Sequence, residues 1–461
     1  MTAAENRYER EARKVQAAAR VPALSVAVHR ADRGLWTCTV GESGDPARPL
    51  DAGSRFRIGS VTKTFTAVLI MQARDDGLLD LDDPVGKHLD LPAHGDATIR
   101  RLLSHTAGFQ REPHGDVWDM LEMPSADRMI AEIERAERVL PNARRYHYSN
   151  LALGVLGQMV ARLRGGSWFE VLSDRVLTPL GLASTSYHPT EDAVVGWLVD
   201  AYSDAARPEP VTDMAGAAPA AQLWSTAADM ATWAAFLADP QIVDPDGKVL
   251  AAATVDEMRW PLTTTDEQLW VYGFGLGLIL QPAGKRILHV GHDGAMPGFL
   301  SAVYGRRGGD GNPGALGCAV LASSGTAMEI AELPHDLLRL ATELDPAEIK
   351  PWRIGEPAPE RYQPVLGRWW GEGFPYEFSW HDGTLQARAG DAPADRPPAV
   401  FEPSPDDPDV LRTVSGREAG ELLRITRDEH GVIVRMHWAT YRFTRVQEAF
   451  DGLPVSHGEH P

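Results

Sequence analysis

The stretch Arg57-Ile58-Gly59-Ser60-Val61-Thr62-Lys63-Thr64 lies where a strand-like run gives way to a helical one. Residues three apart on a helix share a face, so the Lys63 amine comes within reach of the Ser60 hydroxyl. Free serine is a poor nucleophile, and an amine kept partly neutral by desolvation and positive neighbours can accept its proton. The start of the helix adds unpaired N–H groups and partial positive charge beside the place where an oxyanion would form. The plain alternative is a serine N-cap followed by a solvated lysine. Lysine is scarce, six in 461 residues, so one at a given offset is a chance event of about 1 in 77.

Two further stretches carry groups that fit such a site. In Tyr146-His147-Tyr148-Ser149-Asn150-Leu151, ahead of an apolar helix at 151–163, Tyr148 and Asn150 can point into one cleft. The phenol would serve as a proton relay and the amide as a donor to a substrate carbonyl. The competing reading has Ser149 or Asn150 capping the helix and Tyr148 packed against it. Val290-Gly291-His292-Asp293-Gly294-Ala295-Met296-Pro297-Gly298-Phe299 joins two strand-like runs. Its glycines, Gly294 among them, are expected to let a substrate backbone approach the strand edge, with the N–H of Ala295 as an oxyanion donor beside that of Ser60. His292 would orient Tyr148 or donate to the anion, against the bland alternative of an incidental histidine in a glycine-rich hairpin.

Working outward, residues 4–19 pattern as an amphipathic helix, and 23–29 and 35–40 as a hairpin about Ala31-Asp32-Arg33-Gly34. Apolar residues at three- and four-residue spacing predict helices at 61–74, 98–104, 126–136, 151–163 and 226–237. Strand character returns at 272–280, 286–290, 299–304 and 316–322, before a helix at 334–344. Strands at both ends with helices between predict one sheet whose pieces meet across a helical insertion. Residues 345–364, with Pro346, Pro351, Pro357, Pro359 and Pro364, read as a linker. Alternating runs at 376–381, 384–389, 410–414, 422–426, 432–438 and 441–446 then predict a small antiparallel barrel, with 390–409 as a long loop. The expected domains are 1–345 and 362–461, joined by a linker at 346–361.

Composition narrows the function. A net charge of −19 repels nucleic-acid phosphates and anionic lipid, so neither nucleic acid nor membrane is an expected partner. Residues 1–16 are charged and lack the apolar core of a signal peptide, and no run of about 18 apolar residues occurs, which points to a soluble cytoplasmic protein. Cys38 and Cys318 need no disulfide framework, although one bridge between them stays open. His289 and His292 lack a third ligand, and no cysteine spacing suits zinc, so no metal or other cofactor is expected. Gly273, Gly275 and Gly277 alternate inside a strand pattern with no helix following, which is not a dinucleotide fingerprint. No Gly-x-Ser-x-Gly elbow is present, against an α/β-hydrolase.

Ser-x-x-Lys, Tyr-x-Asn and His-x-Gly, in that order and at those separations, resemble the penicillin-recognising serine hydrolases: class C β-lactamases, D-alanyl carboxypeptidases, family VIII esterases and D-aminopeptidases. Leu102-Leu103-Ser104-His105-Thr106-Ala107-Gly108-Phe109, Tyr272-Gly273-Phe274-Gly275-Leu276-Gly277 and Gln222-Leu223-Trp224-Ser225-Thr226 add to the likeness, which spans residues 20–345. It implies a β-lactamase-like α/β fold, an antiparallel sheet flanked by helices plus an all-helical half, with Ser60 at their junction. It also implies that Ser60 is the nucleophile, Lys63 its base, Tyr148 the relay to the leaving group and Asn150 a substrate-amide contact. His292 stands where β-lactamases usually carry a lysine that binds the substrate carboxylate, so strong β-lactamase activity is not expected. Ala221-Gln222 replaces the paired glycines of many relatives, and Trp224 follows, which implies an acyl pocket lined by an aromatic unless Trp224 is a core residue.

Residues 360–446 look like the lipocalin-type barrel appended to some of these hydrolases. The combination is similar to stand-alone penicillin-binding-protein-type thioesterases, which take a peptidyl chain from a carrier protein and cyclise it after a D-residue. That resemblance implies a peptidyl or other acyl small-molecule substrate with a peptidyl carrier protein as partner. Arg442 and Arg445 are candidates to pair with a substrate carboxylate, against solvated arginines on a barrel rim. A serine esterase, a D-aminopeptidase and a non-catalytic ligand-binding homologue remain alternative readings.

Overall fold

The computed structural model describes residues 2–449 apart from 141–144, 267, 285, 310–311, 350 and 394–395. The chain divides into two units, residues 1–348 and 349–461. In the first, the strand-like runs from both ends pair as one antiparallel sheet of eight strands. Their spatial order is Gly34–Gly41, Ala23–Arg30, Leu316–Ala322, Phe299–Arg307, Leu288–Met296, Ile279–Pro282, Gly273–Phe274 and Thr263–Thr264. Val26 stands opposite both Val320 and Cys38, so the N-terminal hairpin docks onto the last strand of the unit. Successive side chains of a strand face opposite ways. Leu24, Val26 and Val28 therefore join a core with Tyr8 and Leu337, while Ala23 and Ala27 join one with Phe65 and Trp233. Helices Ala3–Ala18 and Leu333–Glu343 belong to the first of these layers and Ala227–Ala238 to the second.

The helix Thr62–Asp75 lies inside the second core, buried from Thr62 through Ala73. A helix without a wet face must satisfy its polar side chains internally. Thr62 Oγ1 accepts the Leu223 N–H, Thr64 Oγ1 accepts Trp233 Nε1–H at 2.8 Å, and Thr66 Oγ1 donates to Pro219 O at 2.7 Å while accepting Trp168 Nε1–H. Phe65 stacks on Trp233 with ring centroids 3.9 Å apart.

Two strand boundaries differ from the sequence expectation. The run at 272–280 is broken into two short strands by a turn in which Gly277 has φ +73°. A Cβ there would stand 2.3 Å from Ala67 Cβ, so the turn presses against the buried helix. The run expected to stop at 290 continues to Met296 and reverses over Pro297-Gly298. Both cysteines are free thiols. No helix among the described residues is long and apolar enough to cross a membrane.

The second unit holds a closed antiparallel barrel of eight strands in sequence order. Two of them, Gly367–Gly371 and Ala399–Pro403, fall outside the expected runs. The first places two tryptophans side by side and so hides the alternation. The second lies in the stretch read as a loop, between Pro397-Pro398 and Pro403, yet Ala399 and Phe401 point inward. Trp369, Tyr376, Phe378, Phe401, Trp438 and Phe443 fill the interior, as suits a barrel of this strand number. Arg445 donates to the carbonyls of Pro364, Leu366 and Arg368 and lies over the Trp369 ring, 4.0 Å from its centroid. Arg445→Ala is expected to destabilise this unit by about 1–2 kcal/mol. Urea unfolding of the full chain, followed by tryptophan fluorescence, checks this.

Candidate active site

The short strand Phe56–Arg57 pairs with Trp224–Ser225, and Gly59 then turns the chain at φ +50° into a single 3-10 turn, Gly59–Val61, that leads into Thr62–Asp75. A Cβ on Gly59 would stand 2.7 Å from the Ala295 amide nitrogen, and one on Gly294 would stand 2.0 Å from Ile58 O. Ser301 Oγ donates to the same Ile58 carbonyl at 2.9 Å. The main chain of the strand Leu288–Met296 is thus pressed onto the Ser60 turn. This corrects the expectation for the glycines: Gly294 makes room for the chain's own backbone, and Gly291, whose Cβ would meet Val303 O at 1.9 Å, does the same.

Lys63 is fully buried. Its Nζ lies 3.0 Å from Ser60 Oγ and donates to Ala220 O at 2.8 Å. Loss of water holds the amine well below the usual lysine range; Glu112 opposes that drop and Arg111 adds to it. The Tyr148 ring passes 4.8 Å from Nζ. Burial pushes its phenol up while interaction with the Ser60 hydroxyl pulls it back, and the phenol stays protonated. His105 fixes Tyr148 from both sides: its carbonyl accepts the His147 N–H at 2.8 Å and its Nδ1 accepts the Ser149 N–H at 3.2 Å. The rings of His105 and Tyr148 lie 4.5 Å apart.

Ser149 caps the helix Asn150–Arg164 through the Ala152 N–H, as the competing sequence reading allowed, which leaves the Asn150 side chain free for other work. Asn150 Nδ2 donates to Glu112 Oε1 at 2.6 Å. One N–H of this amide is therefore engaged and the second is left over, while Asn150 Oδ1 is buried without a partner. His292 Nδ1 lies 2.5 Å from the Asp293 carbonyl and must carry the proton, so Nε2, buried and unpartnered, is an acceptor. Burial and Lys63 push the imidazole down to about 3. Of the two roles expected for His292, donation to an anion is closed to this tautomer. Its ring lies 6.0 Å from that of Tyr148.

Of these groups Ser60, Tyr148 and His292 border a cavity of 370 Å³, whose wall includes Asp293, Gly294 and Ala295 on one part and Arg111, Tyr146, Tyr272, Phe274, Leu300 and Ile330 on another; Lys63, His105 and Asn150 lie behind that wall. Trp224 is absent from that wall. It is 1% exposed and packs edge-to-face on Phe299, 5.2 Å between centroids, which makes it a core residue. The strand Leu288–Met296 pairs with Ile279–Pro282 only through Gly291, so 292–296 leaves an open edge at the cavity. In the barrel unit the Arg445 guanidinium is engaged by its own main chain, as described above. Arg442 donates to Ala449 O and pairs with Glu448 at 3.4 Å. Sequence reasoning missed Glu112 and Arg111, which belong to no spacing rule. It quoted His105, Phe274 and Asp293 without giving them roles.

A sheet, a helical half and a serine–lysine pair at their junction define an active-site-serine hydrolase of the penicillin-binding-protein type. The chain belongs to the Beta-lactamase family, whose model matches residues 8–343. A model for a domain of unknown function, DUF7586, matches residues 358–445. Among sequence relatives, Beta-lactamase-like protein 2 of Dictyostelium discoideum is 27% identical over 257 residues, 52% of this chain and 46% of that protein. Penicillin-binding protein 4 of Amycolatopsis lactamdurans is 34% identical over 268 residues, 54% of this chain and 68% of that one. The chain thus spans about half the length of the first of these. Among solved structures, SurE superposes with a TM-score of 0.62 at 24% identity, covering 96% of this chain and 99% of SurE. SurE has also been solved with D-Leu, with a TM-score of 0.58.

Because Glu112 raises the Lys63 pKa, neutralising it lets the amine lose its proton at lower pH. Glu112→Gln keeps an acceptor for Asn150 and is expected to move the acid limb of kcat/KM to lower pH, read from the pH profile of ester turnover. Ser60→Ala is expected to take no label from a serine-reactive phosphonate, and Lys63→Ala to slow turnover by about 10⁴-fold; intact-mass spectrometry and steady-state kinetics check the pair.

Proposed function

We propose that the chain transfers acyl groups through an ester on Ser60, and that its reaction is the release and macrocyclisation of a carrier-bound peptidyl thioester ending in a D-residue. The observation that carries acyl transfer is the 3.0 Å approach of a dehydrated Lys63 amine to Ser60 Oγ. As Oγ attacks the carbonyl carbon, Lys63 takes its proton and the N–H groups of Ser60 and Ala295 hold the oxyanion. Tyr148 passes a proton to the departing thiol. An amine or water then attacks the acyl-serine, and Oγ regains its proton. Asn150, set next to Tyr148 by the Ser149 cap, is the substrate-amide contact on this reading.

Three observations support a peptidyl substrate. The open edge at 292–296 suits an extended main chain. The aromatic walls favour a bulky apolar side chain. The fold is shared with SurE over 96% of this chain, barrel included, and SurE has been solved with D-Leu. The donor on this reading is a peptidyl carrier protein, and no role for Arg442 or Arg445 at the carboxylate is needed.

The test offers a linear peptidyl thioester of a small thiol, with a C-terminal D-residue and a free N-terminus, and compares product masses. Cyclic product dependent on Ser60 is expected. Only the linear acid would reject cyclisation and leave hydrolysis, as by an esterase or D-aminopeptidase, as the activity of the same serine.

A further inference from the structure

Asp293 walls the cavity beside Ser60, Gly294 and Ala295 and has no part in the acyl chemistry described so far. It sits opposite Ala302, so it shares a sheet face with the core that contains Leu300, Tyr304 and Ile330. Leu300 and Ile330 are themselves cavity walls. The carboxyl is open to solvent yet surrounded by protein, which pushes it up to about 6; the Tyr304 hydroxyl bonds to it, and the other charge acting on it is a second acid, Glu332. No cation balances it among those groups. The preceding residue, His292, is neutral and offers only the lone pair of Nε2. Arg111, the arginine of the cavity wall, lies over the Tyr148 ring at 5.0 Å and pairs with Glu112 at 3.7 Å.

One residue earlier, where His292 stands, the β-lactamases that the motif resembles usually carry a lysine that holds a substrate carboxylate. Here Asp293 presents a carboxylate to the cavity, and the neutral imidazole of His292 beside it brings no positive charge. A carboxylate ligand would meet like charge there, whereas a primary ammonium group has three N–H donors and the opposite charge. We propose that Asp293 is the specificity residue of this site and that it recognises a primary ammonium group of the substrate, carried by the acyl donor or by the incoming acyl acceptor. This rests on the Ser60 acyl-enzyme reading and narrows its substrate class to amines. Acceptance of the ammonium by the carboxylate is binding only; the amine that attacks must first give up a proton.

The experiment uses the full chain and its Asp293→Asn and Asp293→Lys variants. One arm compares the D-leucyl thioester of N-acetylcysteamine, with its free amine, against the N-acetyl-D-leucyl thioester. The other offers the N-acetyl thioester with and without D-leucinamide as acceptor. A charge-assisted contact predicts a preference for the amine of about 10- to 100-fold in kcat/KM, or in aminolysis over hydrolysis. The preference should collapse in Asp293→Asn, and Asp293→Lys should turn it toward an N-succinyl-D-leucyl thioester. A preference in the first arm alone assigns the ammonium to the donor and one in the second alone to the acceptor, and either supports the proposal. Equal ratios in wild type and both variants, with each still taking phosphonate on Ser60, would overturn it. Absence of label on wild-type Ser60 would instead sink the acyl-enzyme reading itself.

Discussion

The loss of water around the Lys63 amine is the constraint on which the catalytic half of this protein depends. A charged ammonium with one carbonyl and one hydroxyl as partners would be several kcal/mol out of balance in such a place. The structure eases this by shifting the amine toward its neutral form. That outcome needs a helix with no wet face, and the remaining packing follows from it. The three threonines of Thr62–Asp75 each find a partner from the surrounding shell. Ala220 O turns inward to meet Nζ, and the sheet closes the other side where Gly59 and Gly294 permit backbone to touch backbone. A single added methyl at either glycine would push Ser60 away from Ala295.

The site is assembled from stretches far apart in sequence, and main-chain bonds do most of the assembling. Tyr148 is placed by His105, which grips the peptide groups on both sides of it. Asn150 is placed by the cap that Ser149 supplies and then turned by Glu112. In neither case does the residue that positions the group touch the cavity itself. The catalytic side chains therefore sit on rigid supports, which is what orientation to within a fraction of an ångström requires.

Much of this was legible in the sequence, and the boundary of legibility has physical causes. Ser60 and Lys63 could be read because a helix converts a spacing of three into contact, and the split sheet because both chain ends alternate while the middle does not. Trp224 could not be placed, since an aromatic after a tight turn looks the same whether it fills a core or lines a pocket, and only Phe299, from a distant strand, decides it. The glycines about His292 were read correctly as sites of close approach, but sequence does not say what approaches; here it is Ile58 and Val303. Ala399–Pro403 was hidden by its flanking prolines. Glu112 went unread and Asp293 was quoted without a role, because a carboxylate becomes informative only once its neighbours are known.

Burial acts with opposite sign on acids and bases, and around Ser60 it draws Tyr148, Lys63 and His292 alike toward their neutral forms. The Tyr148 phenol is pushed up and keeps its proton; Lys63 is pushed well down toward its neutral form, and His292, pushed down to about 3, is neutral. In the proposed reaction, attack by Ser60 makes an ammonium at Lys63 in surroundings that disfavour the charged form. That ammonium is a strong acid compared with a solvated lysine, so its proton moves on readily to Tyr148 and the leaving group instead of resting where it landed. His292 cannot trap it at neutral pH, because its Nδ1 proton is fixed by the Asp293 carbonyl and its own basicity is too low. The desolvation that makes the serine reactive thus also keeps the proton in transit, and a lysine exposed to water at the same 3.0 Å would do neither.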